Sequence, residues 1–222
     1  MKLKDYFKQL KIDLAPMTFG QKVDHIWTYN KELILITIGV LVLVVALLTA
    51  FLSKPDVVFS GYILNINLSE EGTAYLSTGF RDVVDASGKK TVELNSGIYN
   101  PESANAGETS YTTVIQLSAL CSDQSLDYMI TDESALQAQS INGLCMDLQD
   151  FFSEEEFAQW KDRILYVKTE EGSSVPVGVN ISETKFAEAC VTSHKAVYLS
   201  FIVNTKNPDL CRQLWNHILS YQ

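Results

Sequence analysis

The stretch Leu126–Leu136 reads LDYMITDESAL. Its first half, LDYMI, is a short apolar run of the kind that fills a sheet buried on both faces. Its second half opens with two carboxylates, Asp132 and Glu133, and then takes on a helical pattern. A strand running straight into a helix is the unit from which α/β domains are built. Two readings of the acids follow. Thr131 or Asp132 can accept hydrogen bonds from the first free N–H groups of the helix, where negative charge also suits the helix dipole. Alternatively, Thr131, Asp132 and Glu133 sit beyond the carboxyl end of a strand, where open α/β sheets bind ligands. Capping explains the residues without a ligand and is the expected role.

The same alternation extends outward from this stretch. Toward the N-terminus, Thr109–Cys121 is expected to be helical, 96–108 (SGIYNPESANAGE) a loop, TVELN (91–95) a strand and DASGK (85–89) a turn. Ser69-Glu70-Glu71 signals a helix start, with the helix continuing over Ala74–Phe80. VVFSGYILNINL (57–68) reads as a strand rich in β-branched and aromatic residues. Toward the C-terminus, Gly143 ends the helix and LCMDL (144–148) is extended. Ser153 with Glu156 forms a capping box. RILYVKT and VPVGVNI flank EEGSS as a hairpin. Lys185–Ala189 is helical and VYLSFIVN (197–204) a strand. Asn207-Pro208 caps a final amphipathic helix, Leu210–Leu219. These elements predict an α/β or α+β domain with a mixed sheet over 59–222, joined by a linker, 53–58, to what precedes it.

What precedes it is LILITIGVLVLVVALLTAFL (33–52), twenty residues without a charge. At about 1.5 Å per residue this run spans roughly 30 Å, the thickness of a bilayer core. It is longer than the roughly 7–15 residues of a signal-peptide core, so one uncleaved transmembrane helix is expected. Residues 1–32 carry six Lys and four Asp/Glu, whereas 53–222 carry eleven Lys/Arg and 23 Asp/Glu. Basic residues before the span place the N-terminus in the cytoplasm and the C-terminal domain outside the cell membrane. Trp27, Tyr29 and Lys31 suit the membrane interface. Phe19, Val23, Ile26 and Trp27 share one helical face, which a membrane surface or a membrane partner would cover.

The segment LDYMITDESALQAQSINGLCMDLQDFFSEEEF (126–157) resembles part of bacterial extracellular solute-binding proteins. The helix Thr109–Cys121, the strand Leu126–Ile130, the acidic turn at Asp132-Glu133, Gly143, Asp147-Leu148 and the acid-capped helix at Ser153–Phe157 carry the resemblance. With KVDHIWTYNKE before a single span, the chain is also similar to single-pass membrane proteins of clostridia-type bacteria. The resemblance implies a non-catalytic binding or interaction module, or a small-molecule binder serving a transporter. Solute-binding proteins have two lobes; this chain has room for about one. A third possibility is a structural subunit docked through its span.

Motifs for catalysis are missing: the sequence has no G-x-S-x-G, H-E-x-x-H, Walker A or EF-hand pattern. His194 and His217 sit in ordinary contexts, so no enzyme activity and no cofactor are expected. Cys121, Cys145, Cys190 and Cys211 lack C-x-x-C spacing, which argues against zinc; disulfides and buried thiols both remain open. The acidic outer segment excludes nucleic acid as a partner and leaves the membrane, an envelope protein or a small molecule. Tyr99, in the 96–108 loop, joins Thr131, Asp132 and Glu133 as a candidate recognition residue.

Overall fold

Strand β3 (Tyr128–Thr131) lies in the middle of a six-stranded sheet, with all four of its residues buried. The computed structural model describes residue 12 and residues 14–52, 56–85, 87, 89–99, 107–168, 172–193 and 195–222. The side chains of 25, 26, 29, 30, 33, 50–52 and 107–110 fall outside this description. The chain divides into two units, Met1–Lys54 and Pro55–Gln222.

In the second unit, β1 (Asp56–Leu64), β2 (Lys90–Gly97), β3, β4 (Ile164–Lys168), β5 (Ser174–Asn180) and β6 (Tyr198–Phe201) are ordered β2-β1-β3-β6-β5-β4. β2, β1 and β3 are parallel, and β6, β5 and β4 follow in antiparallel pairs. The expected mixed α/β sheet is therefore present.

The alternation of side chains separates two cores. Phe59 and Ile63 of β1, with Tyr128 and Ile130 of β3, join one cluster with Phe80, Phe186, Leu214 and Trp215. Tyr62, Leu64 and Met129 join the other with Leu117, Ala135 and Leu136. Gly61 pairs with Tyr128 across the parallel strands. A Cβ at Gly61 would fall on the Tyr128 ring, which stacks on Phe59 with centroids 5.3 Å apart.

Five helices follow the sequence expectations closely. They are α2 (Glu70–Ala74), α4 (Gly107–Ser122), α5 (Glu133–Ile141), α7 (Glu154–Trp160) and α8 (Lys185–Cys190). Ser69 accepts from the Gly72 N–H, and Ser153 and Glu156 complete the capping box. Gly143 takes a positive φ of 75° just past α5, as an end signal should.

Other expectations need correction. β1 stops at Leu64 rather than 68, because Asn65 turns left-handed at φ 60°. The stretch after α2 is not one α-helix: Tyr75–Gly79 forms a π-helical turn before α3 (Phe80–Val84). Leu148 begins a short helix, α6 (Leu148–Phe151), instead of ending a strand. Asn207 precedes α9 (Pro208–Leu219) but does not cap it with its side chain. Its amide donates instead to the buried Asp127 carboxylate at 3.0 Å. His217 is not a plain surface residue: its ring stacks on Tyr75 at 4.0 Å, nearly parallel.

The first unit includes the 34-residue helix α1 (Phe19–Leu52). It covers the expected span, and Leu35, Ile36, Ile38 and the large apolar side chains over 40–48 are exposed. Among the described residues no helix is long and apolar enough to cross a membrane.

Candidate functional site

The parallel strands end in register. Leu64 pairs with Gly97 on one side and with Thr131 on the other, so Asn65, Tyr99 and Asp132 emerge at one edge of the sheet. Tyr198 opens β6 opposite Thr131, which brings Lys195 to the same edge.

Asp132 is the hub. Its side chain is almost fully buried, and its Oδ1 accepts the Ala135 N–H at 3.0 Å and the Ser134 hydroxyl at 3.1 Å. The expected capping role is thus present. The carboxylate does more, however. Lys195 Nζ donates to Oδ2 at 2.6 Å, and the Asn65 amide lies 3.3 Å from both oxygens. Asn65 is itself clamped, since its amide donates to the Tyr99 carbonyl at 2.8 Å and its Oδ1 accepts the Tyr99 N–H at 2.7 Å. An Asn tolerates the left-handed backbone that this clamp requires.

Burial by itself would raise the Asp132 pKa. The Lys195 ammonium, the Ala135 N–H and the Asn65 amide outweigh it and hold the carboxyl below its ordinary value. Both oxygens are occupied, so Asp132 is a fixed anion and a poor proton acceptor. An ammonium has three donors, and Asp132 takes one from Lys195. Glu133 is exposed; the Gln137 amide donates to it at 3.1 Å and the Tyr198 hydroxyl at 3.4 Å.

Asp132, Glu133, Ser134, Lys195 and Ala196 line an open cavity of about 290 Å³. The pairing of a lysine ammonium with an exposed carboxylate suits a small polar ligand or a polar side chain of a partner.

The sequence candidates distribute unevenly around this site. Asp132 and Glu133 line the cavity. Thr131 is fully buried, and its hydroxyl has no hydrogen-bond partner among the described residues. It supports the site from below instead of lining it. Tyr99 contributes through its backbone. Much of the 96–108 loop (100–106) lies outside the described residues, as does His194. Trp27 and Lys31 are exposed on α1, and the Tyr29 side chain lies outside the description.

All four cysteines are free thiols, with Cys190 and Cys211 buried and Cys121 and Cys145 half-buried. Burial raises the pKa of Cys121 and Cys145, and pushes Cys211 up to about 12. Among the described residues no group of His, Cys, Asp and Glu is placed to hold a metal.

Three residues were missed by sequence reasoning. Asn65 and Lys195 reach Asp132 across 67 and 63 positions of chain. A lone Asn after a strand is a weak signal for the first, and no local signal exists for the second. Asp127 lies at the opposite edge, buried, accepting from the Ser60 N–H at 2.8 Å, Thr205 at 2.5 Å and Asn207 at 3.0 Å.

The chain matches no family model, no curated protein and no solved structure.

Proposed function

We propose that the chain is a membrane-anchored, extracytoplasmic binding or interaction module without catalysis, of solute-binding-protein-like type. The observation that carries this reading is α1. Its exposed apolar side chains at 35, 36, 38, 40–45, 47 and 48 fall on every side of the helix. A helix that is apolar all round is suited to a protein interior or a membrane, not to water. The charge-free run over 33–52 is long enough to cross a bilayer core of about 30 Å. The lysines before it favour a cytoplasmic N-terminus.

The binding half of the reading rests on the Asp132–Lys195 cavity. It opens at the carboxyl edge of the parallel strands, the customary ligand edge of such sheets. Its one deeply buried carboxylate is held in a fixed charge state, which serves recognition better than proton transfer.

Expression of the full chain in bacterial cells, followed by alkaline carbonate extraction and external protease treatment, tests the anchor. Retention in the membrane pellet, with 55–222 digested from outside, is expected. Release into the supernatant would overturn the reading. A narrower version, a small-molecule binder serving a transporter, rests on the Lys195 ammonium and the Glu133 carboxylate meeting at one open cavity. It would show as ligand-dependent protection of the folded chain against heat.

A further inference from the structure

The helix α1 changes character at residue 33. Beyond that point its residues are apolar on every side, whereas before it they follow a heptad. Phe19, Val23, Ile26, Asn30 and Leu33 are spaced by four, three, four and three residues, the d and a positions of a coiled coil. Gln21, Asp24, His25, Thr28, Lys31 and Glu32 take every b, c and f position between them, and all six are polar. A seam confined to a and d is narrower than the stripe that a helix presents to a globular core. Phe19 and Val23, which open the seam, are exposed, as is Trp27 beside it.

The length of α1 excludes the bilayer as the cover for this seam, on the reading that 33–52 crosses the membrane. The helix holds no proline and runs unbroken over Phe19–Leu52. At about 1.5 Å per residue it is about 51 Å long, against a bilayer core of about 30 Å. About 20 Å of it therefore stands out of the core, and a helix that crosses the core does not also lie flat on its surface.

A second copy of this chain fits the seam. The membrane gives every copy the same orientation, so two copies meet parallel and in register. Each a and d residue then faces its own counterpart. Asn30 suits this arrangement, because an amide carries both donor and acceptor and a single Asn at an a position fixes the register of a dimer. The flanking e and g positions are compatible with self-pairing. Lys22, at g, faces Trp27, at e, of the second copy, which sets a cation against an indole instead of a like charge. The remaining charges, Asp24, Lys31 and Glu32, lie away from the seam.

We propose that the chain is a parallel homodimer, joined before the membrane through Phe19, Val23, Ile26 and Asn30 of α1. The test is disulfide trapping of the full chain in bacterial membranes, with Val23→Cys, Ile26→Cys, Asp24→Cys and Thr28→Cys oxidised by copper phenanthroline and run beside the native chain. A covalent dimer is expected at 23 and 26, with no more at 24 and 28 than in the native chain. Adding Asn30→Asp to Val23→Cys places two carboxylates face to face and should remove most of the dimer, with the chain still in the carbonate-washed pellet. No dimer at 23 and 26 in a chain that stays in the pellet would overturn the proposal. So would equal trapping at all four positions, trapping that survives Asn30→Asp, or an adduct with a protein of another mass. A chain released into the supernatant would overturn the anchor reading, and this inference with it.

Discussion

Two aspartates, five residues apart, divide the labour at opposite ends of one strand. Asp132 follows β3 and fixes the candidate site. Asp127 precedes it and ties β1 to the segment before α9. Replacing Asp127 with Ala strands the Ser60 N–H, the Thr205 hydroxyl and the Asn207 amide without their acceptor. Urea denaturation should show a loss of roughly 3 kcal/mol. Asp132→Ala removes a helix cap and leaves the Lys195 ammonium without this acceptor, while Asn65 keeps its two bonds to Tyr99, and should cost about 2 kcal/mol by the same assay. The Asp132 contribution also depends on pH. Its folded pKa lies below the unfolded value of about 3.9. The stabilisation is therefore full above that value and fades as pH falls through the folded pKa. A melting-temperature profile in acid should be flatter for Asp132→Asn than for the native chain. The cap was legible in the sequence because its donor lies three residues on. The Lys195 and Asn65 contacts were not, because nothing local marks a pairing made by strand register.

Elements were read well where their signals are local and poorly where packing overrides them. Ser69, Ser153 and Gly143 marked helix ends because capping is a short-range interaction. The π-helical turn at Tyr75–Gly79 was invisible, and the partner it contacts is distant in sequence. Tyr75 donates to the His217 carbonyl at 2.7 Å, and His217 Nε2 lies 3.2 Å from the Tyr75 carbonyl. This reciprocal pair joins the turn to α9. Burial lowers the His217 pKa against the opposing hydrogen bond to Tyr75. The unfolded chain therefore takes up this proton first. Stability should fall as pH drops below about 6.5, the unfolded value, toward the lower folded pKa. In His217→Gln this segment of the pH profile should disappear, as thermal melts across the range would show. Asn207 illustrates the same lesson: its sequence position is that of a cap, yet the buried Asp127 claims its amide.

On the scale of the whole molecule, the mixed sheet was legible because alternating strand and helix signals recur over 59–222. The order β2-β1-β3-β6-β5-β4 was not, because it depends on which strands pair across the chain. That order brings Asn65 and Lys195 to Asp132 at one edge and Ser60 and Thr205 to Asp127 at the other, from positions distant in sequence. In the proposed function the long helix α1 serves as the anchor. The central claim is that the carboxyl edge of the sheet is a binding site. Thermal unfolding of the full chain in detergent, titrated with sugars, amino acids and peptides, tests it most directly, with Lys195→Met as the comparison. A concentration-dependent rise in melting temperature with one ligand class, lost in Lys195→Met, is the expected result. No rise with any class, or a rise that survives in Lys195→Met, would contradict it.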